Sequence, residues 1–359
     1  MNPFVIAKTA KNALSKVEIN FNRTLGRELV PLNTKILNVE TSSLCNLKCR
    51  FCAYIKKQSP KVSMKDAFFA NCIEQALDMG FTEFELTPCT GDVFMDRHVF
   101  SKFKFLEDHP GVEGYRFFTN FTILDRDEIG QMLALRKLKN ATVSIYGHDK
   151  DSFIAITQST EKVYKRLIGN LEFLLAHLGE QSFNLDIGIR TTRDAPHRPA
   201  NELAALLDGF RQRGIKIRRA HVYNNWGGYI TQADVAGLAI DVTGAESTYK
   251  WGACSHLFTT YQVMATGIVN GCACRDVDAT LRIGDLNERP LREILSSDNP
   301  AYMRLIDEQQ RGEFRSVCKS CDYYKSIYHM RSGHRKNGTA FQSVDQFKNR
   351  LRLMGAARR

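Results

Sequence analysis

The chain has no run of about 18 or more apolar residues, so no segment reads as a bilayer-spanning helix. It also lacks a recognisable export signal: the apolar run Phe4-Val5-Ile6-Ala7 is short and is followed by Lys8 and Lys11. Without such a signal, ten cysteines read as reduced thiols or metal ligands, not disulfides, and the expected compartment is the cytoplasm. Acidic residues are nearly missing from one end. From Lys325 onward Asp345 is the single acid against nine Lys and Arg, a net +8 of the chain's +11, which leaves +3 for everything before it. Residues 326–359 therefore read as a solvated, partly disordered basic tail, with a membrane surface, a peptide or another acidic partner as the alternative. No specific nucleic acid is implied. Extremes of composition that mark disordered or fibrous chains are absent too. The 359 residues suit one large α/β domain and a smaller one.

Residues 1–34 form a helical extension in this reading. Ile6, Ala10, Ala13, Leu14, Val17 and Phe21 recur at helical spacing, and that face is expected to pack on the protein's own domain, with docking on a membrane surface as the alternative. Strand-like and helix-like segments then alternate, as in a parallel sheet of βα units. The expected strands are 35–40, 83–87, 115–120, 141–147, 183–190 and 215–223. One helix is expected at 66–80 and another at 152–178.

The most telling pattern follows the first strand. Cys45, Cys49 and Cys52 are spaced C-x3-C-x2-C, with Phe51 just before the last. Three thiolates in one loop can hold three irons of a [4Fe–4S] cube and leave the fourth iron open; zinc is the bland alternative. The pattern resembles the radical S-adenosylmethionine (radical SAM) enzymes. In that family the open iron chelates the amino and carboxylate groups of SAM, and one electron cleaves the sulfonium to a 5′-deoxyadenosyl radical that takes hydrogen from a substrate.

The resemblance implies an α/β fold: a partial (β/α)6 TIM-like barrel over 35–235 with reactive groups at the C-terminal strand ends. It also implies SAM contacts. Thr90-Gly91-Asp92 stands where the family has a Gly-Gly-Glu element for the SAM ammonium, with Asp92 one methylene shorter than glutamate. Ser144 matches a serine that meets the SAM carboxylate, and Arg190 could fork onto a carboxylate or pair with a neighbouring acid. Phe51 completes the cofactor-binding set. Phe121 departs from the family's pattern, which commonly has glycine there. In Asn224-Asn225-Trp226-Gly227-Gly228, Trp226 is either a wall of the substrate pocket or packed on its own barrel.

A second cysteine pattern falls within 250–325. Cys254, Gly267 and Cys272, then Cys318-Lys-Ser-Cys321, resemble the twitch form, a shortened SPASM extension, and imply four ligands of one auxiliary [4Fe–4S] cluster; zinc is again the alternative. Cys274 could replace Cys272 or be spare. Cys72 reads as a buried small hydrophobe, and Cys89, beside the presumed SAM loop, as inert packing or a hydrogen-atom donor.

The implied activity is reductive cleavage of SAM and hydrogen abstraction from a small molecule, sugar-like or aminocyclitol-like. The auxiliary cluster would accept the substrate's electron, and a flavodoxin- or ferredoxin-type protein would supply the first one. No catalytic side chain beyond the ligands stands out. The alternatives are modification of a ribosomally made peptide, maturation of a partner protein, and a non-catalytic iron–sulfur sensor or assembly factor.

Overall fold

The computed structural model describes residues 3–32, 35–86, 89–197, 200–330, 334 and 338–356. Six parallel strands form the framework: β1 (Ile36–Val39), β2 (Glu83–Glu85), β3 (Gly114–Thr119), β4 (Leu138–Tyr146), β5 (Asn184–Arg190) and β6 (Lys216–Ala220). On β5 the β-branched Ile187 and Ile189 and the neighbouring Leu185 are buried, while Asp186, Gly188 and Arg190 are only partly covered. This period of two puts an apolar row against the helices and a polar row on the other face.

Three more strands extend this sheet beyond β1. β7 (Gln262–Val263) runs parallel to β1, with Gln262 opposite Asn38 and Val263 opposite Val39. β8 (Ile268–Asn270) and β9 (Arg282–Asp285) follow antiparallel, giving the order β9-β8-β7-β1-β2-β3-β4-β5-β6. The second cysteine segment is thus built onto the strand that feeds the first cysteine loop. One continuous apolar core runs through both, from Leu37 and Phe84 to Val263, Ile283 and Tyr302.

Local signals explain the helices that position the strand ends. Asp125 and Glu128 make a reciprocal cap at the start of Arg126–Leu133, and Asp149 and Ser152 do the same for Lys150–Thr157. The single helix expected over 152–178 is instead two, Lys150–Thr157 and Glu161–Ala176. Gln158 takes a left-handed conformation (φ 52°), and the Thr157 hydroxyl bonds back to the Phe153 carbonyl and to Ser159. Polar side chains that satisfy backbone groups locally end the helix there.

Two other expectations are corrected. The first helix, Pro3–Thr24, does not bury the expected apolar face: Leu14, Val17 and Phe21 are 72, 69 and 61% exposed. It packs through Ile19 and through polar side chains, with Asn22 Nδ2 donating to the Tyr328 carbonyl (2.8 Å) and Glu18 accepting from the Met330 amide (2.8 Å). The side chains of Ile6 and Ala10 lie outside the described part. The basic end is not a free tail over 338–356. Phe341–Gln342 pairs antiparallel with Val30–Pro31, and the helix Val344–Ala356 buries Val344, Phe347 and Leu351. Its Phe347 ring lies 4.9 Å from Phe258. Arg331, Arg335, Lys336, Arg358 and Arg359 fall outside the described residues. Among the described residues, no helix is long and apolar enough to cross a membrane.

Candidate iron–sulfur sites

The first cysteine loop leaves β1 at its C-terminal end and is held from three sides. Its Lys48 and Arg50 amides donate to the Thr157 and Ile156 carbonyls, and Asn120 Nδ2, just past β3, donates to Asn46 Oδ1 (3.0 Å) and reaches Cys45 Sγ (3.8 Å). The third side is Gly91. Its φ of +123° is open to glycine alone, and a Cβ there would stand 2.9 Å from the carbonyl oxygens of Ser42 and Leu44. The next amide, of Asp92, donates to the Leu44 carbonyl at 2.7 Å. Gly91 is therefore required for a close approach to the cysteine loop's own backbone.

Cys49 is buried and Cys45 and Cys52 are partly covered around it. Burial pushes the Cys45 thiol up to about 12 and Cys52 to about 11, and carries Cys49 well above its usual range. Neighbouring thiols reinforce the rise at Cys49 and Cys45. Three thiols so placed stay protonated unless a cation takes their charge, so metal binding here must release protons.

The SAM residues expected from the sequence gather about this loop to differing degrees. Thr90 is buried, and its hydroxyl has no hydrogen-bond partner among the described residues. Asp92 is buried, and its carboxylate accepts from the amides of Phe94 (3.1 Å) and Asn120 (2.6 Å) and from the Thr119 hydroxyl. Burial lifts it to about 6 in spite of those donors. Asp92 thus clamps the end of β3 to the loop after β2. Ser144 lies opposite Gly188 on β5, and Arg190 ends β5 opposite Tyr146. The Arg190 guanidinium sits 5.9 Å from the Phe51 ring centroid, and no described acidic side chain lies within 4 Å of it. Phe51 is wedged against Tyr146 (5.2 Å) and Tyr223 (4.7 Å). Phe121 adopts the left-handed conformation (φ 60°) that explains a glycine at this place; its buried ring and its amide, donating to Thr119 Oγ1, hold the strained residue.

Sequence reasoning missed Asn120, Tyr146 and Tyr223. Asn120, one residue before the Phe121 that departs from the family's glycine, and Tyr146, one residue before Gly147, each carried a local signal.

This geometry gives a first prediction. Gly91→Ala should cost roughly 2–4 kcal/mol of stability and most of the iron bound by the cysteine loop. Gly80→Ala should cost about 1 kcal/mol and no iron, because φ is again positive (+87°) but a Cβ meets nothing within 4 Å. Thermal melts and iron content of the two variants decide between a general glycine effect and a contact with the loop.

The second site is a small cavity lined by Cys254, Cys272, Cys274, Cys318 and Cys321 among others. Four of these sulfurs accept an N–H: Cys254 from the Lys325 amide (3.4 Å), Cys272 from the Cys274 amide (3.3 Å), Cys318 from Gln309 Nε2 (3.2 Å) and Cys321 from the Tyr323 amide (3.3 Å). N–H groups aimed at sulfur are what a thiolate-bound cluster needs to spread its negative charge. The donor set fits the four-thiolate expectation. The fifth sulfur, Cys274, accepts an N–H too, from Arg275 Nη1 (3.4 Å). Among the described residues no group of three His, Cys, Asp or Glu side chains is arranged to hold a single metal ion.

The Asn224–Gly228 turn joins the two halves. Asn225 Nδ2 donates to the Ser320 carbonyl, and a Cβ on Gly227 or Gly228 would strike Val317 or Ser320. Trp226 lies with its ring 5.3 Å from the Arg275 guanidinium. The turn is a strut against the C-x2-C loop. The chain after Cys52 is tied to the chain after Cys274 as well: Lys57 Nζ donates to the Val277 carbonyl (2.7 Å), and the Gln58 and Ser59 amides both donate to Asp278 Oδ1 (2.9 Å). Buried Cys89 packs between them, against Ala53 and Val277. Cys72 is fully buried on its helix.

Residues 254–322 match the SPASM iron–sulfur cluster-binding domain. The fold is similar to the solved structure of BtrN in complex with AdoMet and 2-DOIA, at 14% identity and TM-score 0.52, covering 81% of this chain and 94% of that one. It is also similar to native anSMEcpe with bound AdoMet and Kp18Cys peptide, at 14% identity and TM-score 0.50, covering 90% of this chain and 96% of that one. No curated protein matches the sequence. At such identities the likeness establishes the architecture alone: the α/β fold expected from the sequence, shared with these AdoMet-bound structures, with a match to the SPASM domain over 254–322.

Proposed function

We propose that this chain is a radical SAM enzyme that binds one [4Fe–4S] cluster through Cys45, Cys49 and Cys52 and an auxiliary one through Cys254, Cys272, Cys318 and Cys321. When bound, the first cluster supplies the electron that splits SAM, and the second supplies an acceptor for the electron left on substrate after hydrogen abstraction. The observation that carries the reading is the juxtaposition at the strand ends: one buried and two partly covered thiols, the unpartnered Thr90 hydroxyl and the Arg190 guanidinium near one loop. The donors suit the two ends of an amino acid. Thr90 and its loop offer oxygens to an ammonium; Arg190 and Ser144 offer hydrogens to a carboxylate. Asp92 contributes as the clamp that keeps this loop against the cysteines.

The substrate is read as a small molecule of the sugar or aminocyclitol type, oxidised by loss of one hydrogen atom to the adenosyl radical, one proton to solvent or a base, and one electron to the auxiliary cluster. Support comes from the likeness to BtrN, solved with 2-DOIA, whose length is nearly all matched. The donor is a flavodoxin- or ferredoxin-type protein, and the setting the cytoplasm. A peptide substrate is the second reading, favoured by anSMEcpe, solved with a peptide. Anaerobic reconstitution tests the core of the proposal. About eight irons per chain and 5′-deoxyadenosine after addition of SAM and dithionite are expected. Zinc in place of iron, or full iron with no SAM cleavage under strong reductant, would refute it, the latter in favour of a sensor or assembly factor.

A further inference from the structure

Arg275 lines the auxiliary cavity together with the five cysteines. Its Nη1 donates to the Cys274 carbonyl (2.6 Å) and to Cys274 Sγ (3.4 Å), while its Nε is buried with no hydrogen-bond partner among the described residues. Two aromatic rings lie beside the guanidinium, Tyr323 at 4.5 Å and Trp226 at 5.3 Å. No described carboxylate lies within 4 Å of it. A cation withdrawn from water without a carboxylate is costly unless another negative charge balances it.

The acids nearby are already engaged. Asp322 acts on Cys274 and accepts from the Asn225 amide (3.1 Å) and the Thr243 hydroxyl. Asp276 acts on Cys318 and accepts from the Thr280 and Leu281 amides (3.0 and 2.7 Å). Two more cations surround the cavity, Lys250 acting on Cys318 and Lys325 on Cys254 and Cys274. Of the three cations, Arg275 is the one whose side chain reaches a cysteine sulfur. A cluster held by four thiolates brings the missing negative charge, and its sulfurs are acceptors for a donor that has none. The first cysteine loop is balanced differently. Its cation, Arg190, is given to the SAM carboxylate in the reading above, and the Asp92 carboxylate acts on Cys45. Charge and hydrogen bonds at the sulfurs set a cluster's reduction potential, so a guanidinium fixed beside one cluster favours the electron on that one.

We propose that Arg275 is the countercharge of the auxiliary cluster, a positioning residue that raises its reduction potential and so favours its taking the electron of the substrate. The inference rests on the two-cluster reading and adds to it the residue that sets the direction of electron flow.

Reconstituted full-length protein is titrated with dithionite, the reduced clusters are read by electron paramagnetic resonance, and iron is counted on the same samples. The titration is repeated in the chain with Cys45, Cys49 and Cys52 replaced by alanine, where the auxiliary signal stands by itself. Arg275→Gln should keep the about four auxiliary irons. At a fixed potential its ratio of reduced to oxidised auxiliary cluster should fall at least ~10-fold, which is ~59 mV in midpoint. Arg275→Lys keeps the charge and should stay within ~3-fold of the parent ratio. Full auxiliary iron with an unmoved midpoint in Arg275→Gln overturns the inference and leaves the two clusters standing. Should the glutamine chain lose its auxiliary iron, the lysine chain decides. Iron and midpoint both kept in Arg275→Lys support the charge; iron lost, or a ratio fallen by ~10-fold, overturns it. Zinc in the auxiliary site of the unsubstituted protein, or no metal there, removes the two-cluster reading and this inference with it.

Discussion

Replacing Cys45, Cys49 and Cys52 by alanine together should leave a folded chain with about four of its about eight irons and no detectable 5′-deoxyadenosine. The loss should be at least ~10³-fold, because ligands that act as a unit fail as a unit. Folding should survive because the loop is not what the barrel is built on. Its thiols lie at the end of β1, while the strands close on Leu37, Phe84, Phe117, Val143 and Ile187, all fully buried. At neutral pH the three thiols are protonated in the folded and unfolded metal-free chain alike, so the alanines should leave its charge balance unchanged. The auxiliary sulfurs have their own N–H donors from Lys325, Cys274, Gln309 and Tyr323, none of which belongs to the first loop, so their cluster should persist. Iron analysis and product chromatography on the same preparation check both halves. Loss of all iron would mean that one site depends on the other. Residual SAM cleavage would mean that the open iron lies elsewhere.

The parts of this arrangement that rest on close spacing are readable in the sequence. C-x3-C-x2-C after a strand, and a C-x2-C pair in the later segment, each place their thiols within a turn or two of chain, so their neighbourhood is local. The six strands were legible for a similar reason, each being a short apolar run bounded by turns. What sequence could not supply is long-range or two-sided. Asp92 reads as a cofactor contact, but its partners Asn120 and Thr119 come from the next strand, and only pairing of β2 with β3 brings them together. Tyr223 meets Phe51 across the barrel with no shared motif. The first helix shows why an apolar stripe is an ambiguous signal. Its stripe was legible, but periodicity does not say which side faces the body, and here one buried isoleucine, a hydrogen bond from Asn22 and one accepted by Glu18 decide it. The basic end was misjudged by charge. Val344, Phe347 and Leu351 were already spaced as a helix face, and their burial outweighs the repulsion among surface cations that keep their heads in water.

Removing the auxiliary ligands should separate radical generation from oxidation. In Cys318→Ala with Cys321→Ala, iron should fall by about four, and substrate oxidation by about 10³-fold or more, while SAM is still cleaved on the first cluster. These two cysteines sit on the loop that the Asn224–Gly228 strut braces, so their sulfurs are held by a contact that does not reach Cys45, Cys49 or Cys52. The strut should keep the loop in position even when the thiols are gone. A sharper comparison lies within the same cavity. Cys274 stands two residues from Cys272, but its sulfur faces the Arg275 guanidinium, whereas Cys272 takes a backbone N–H. Cys274→Ala should therefore retain all about eight irons and full oxidation, while Cys272→Ala should lose the auxiliary four. If instead Cys274→Ala is the variant that loses iron, the cluster is held from the other side of the cavity, and Arg275 lies against a ligand. Iron stoichiometry with electron paramagnetic resonance of the reduced protein distinguishes the two arrangements, because the pattern of N–H donors around the cluster, and with it the signal, would change.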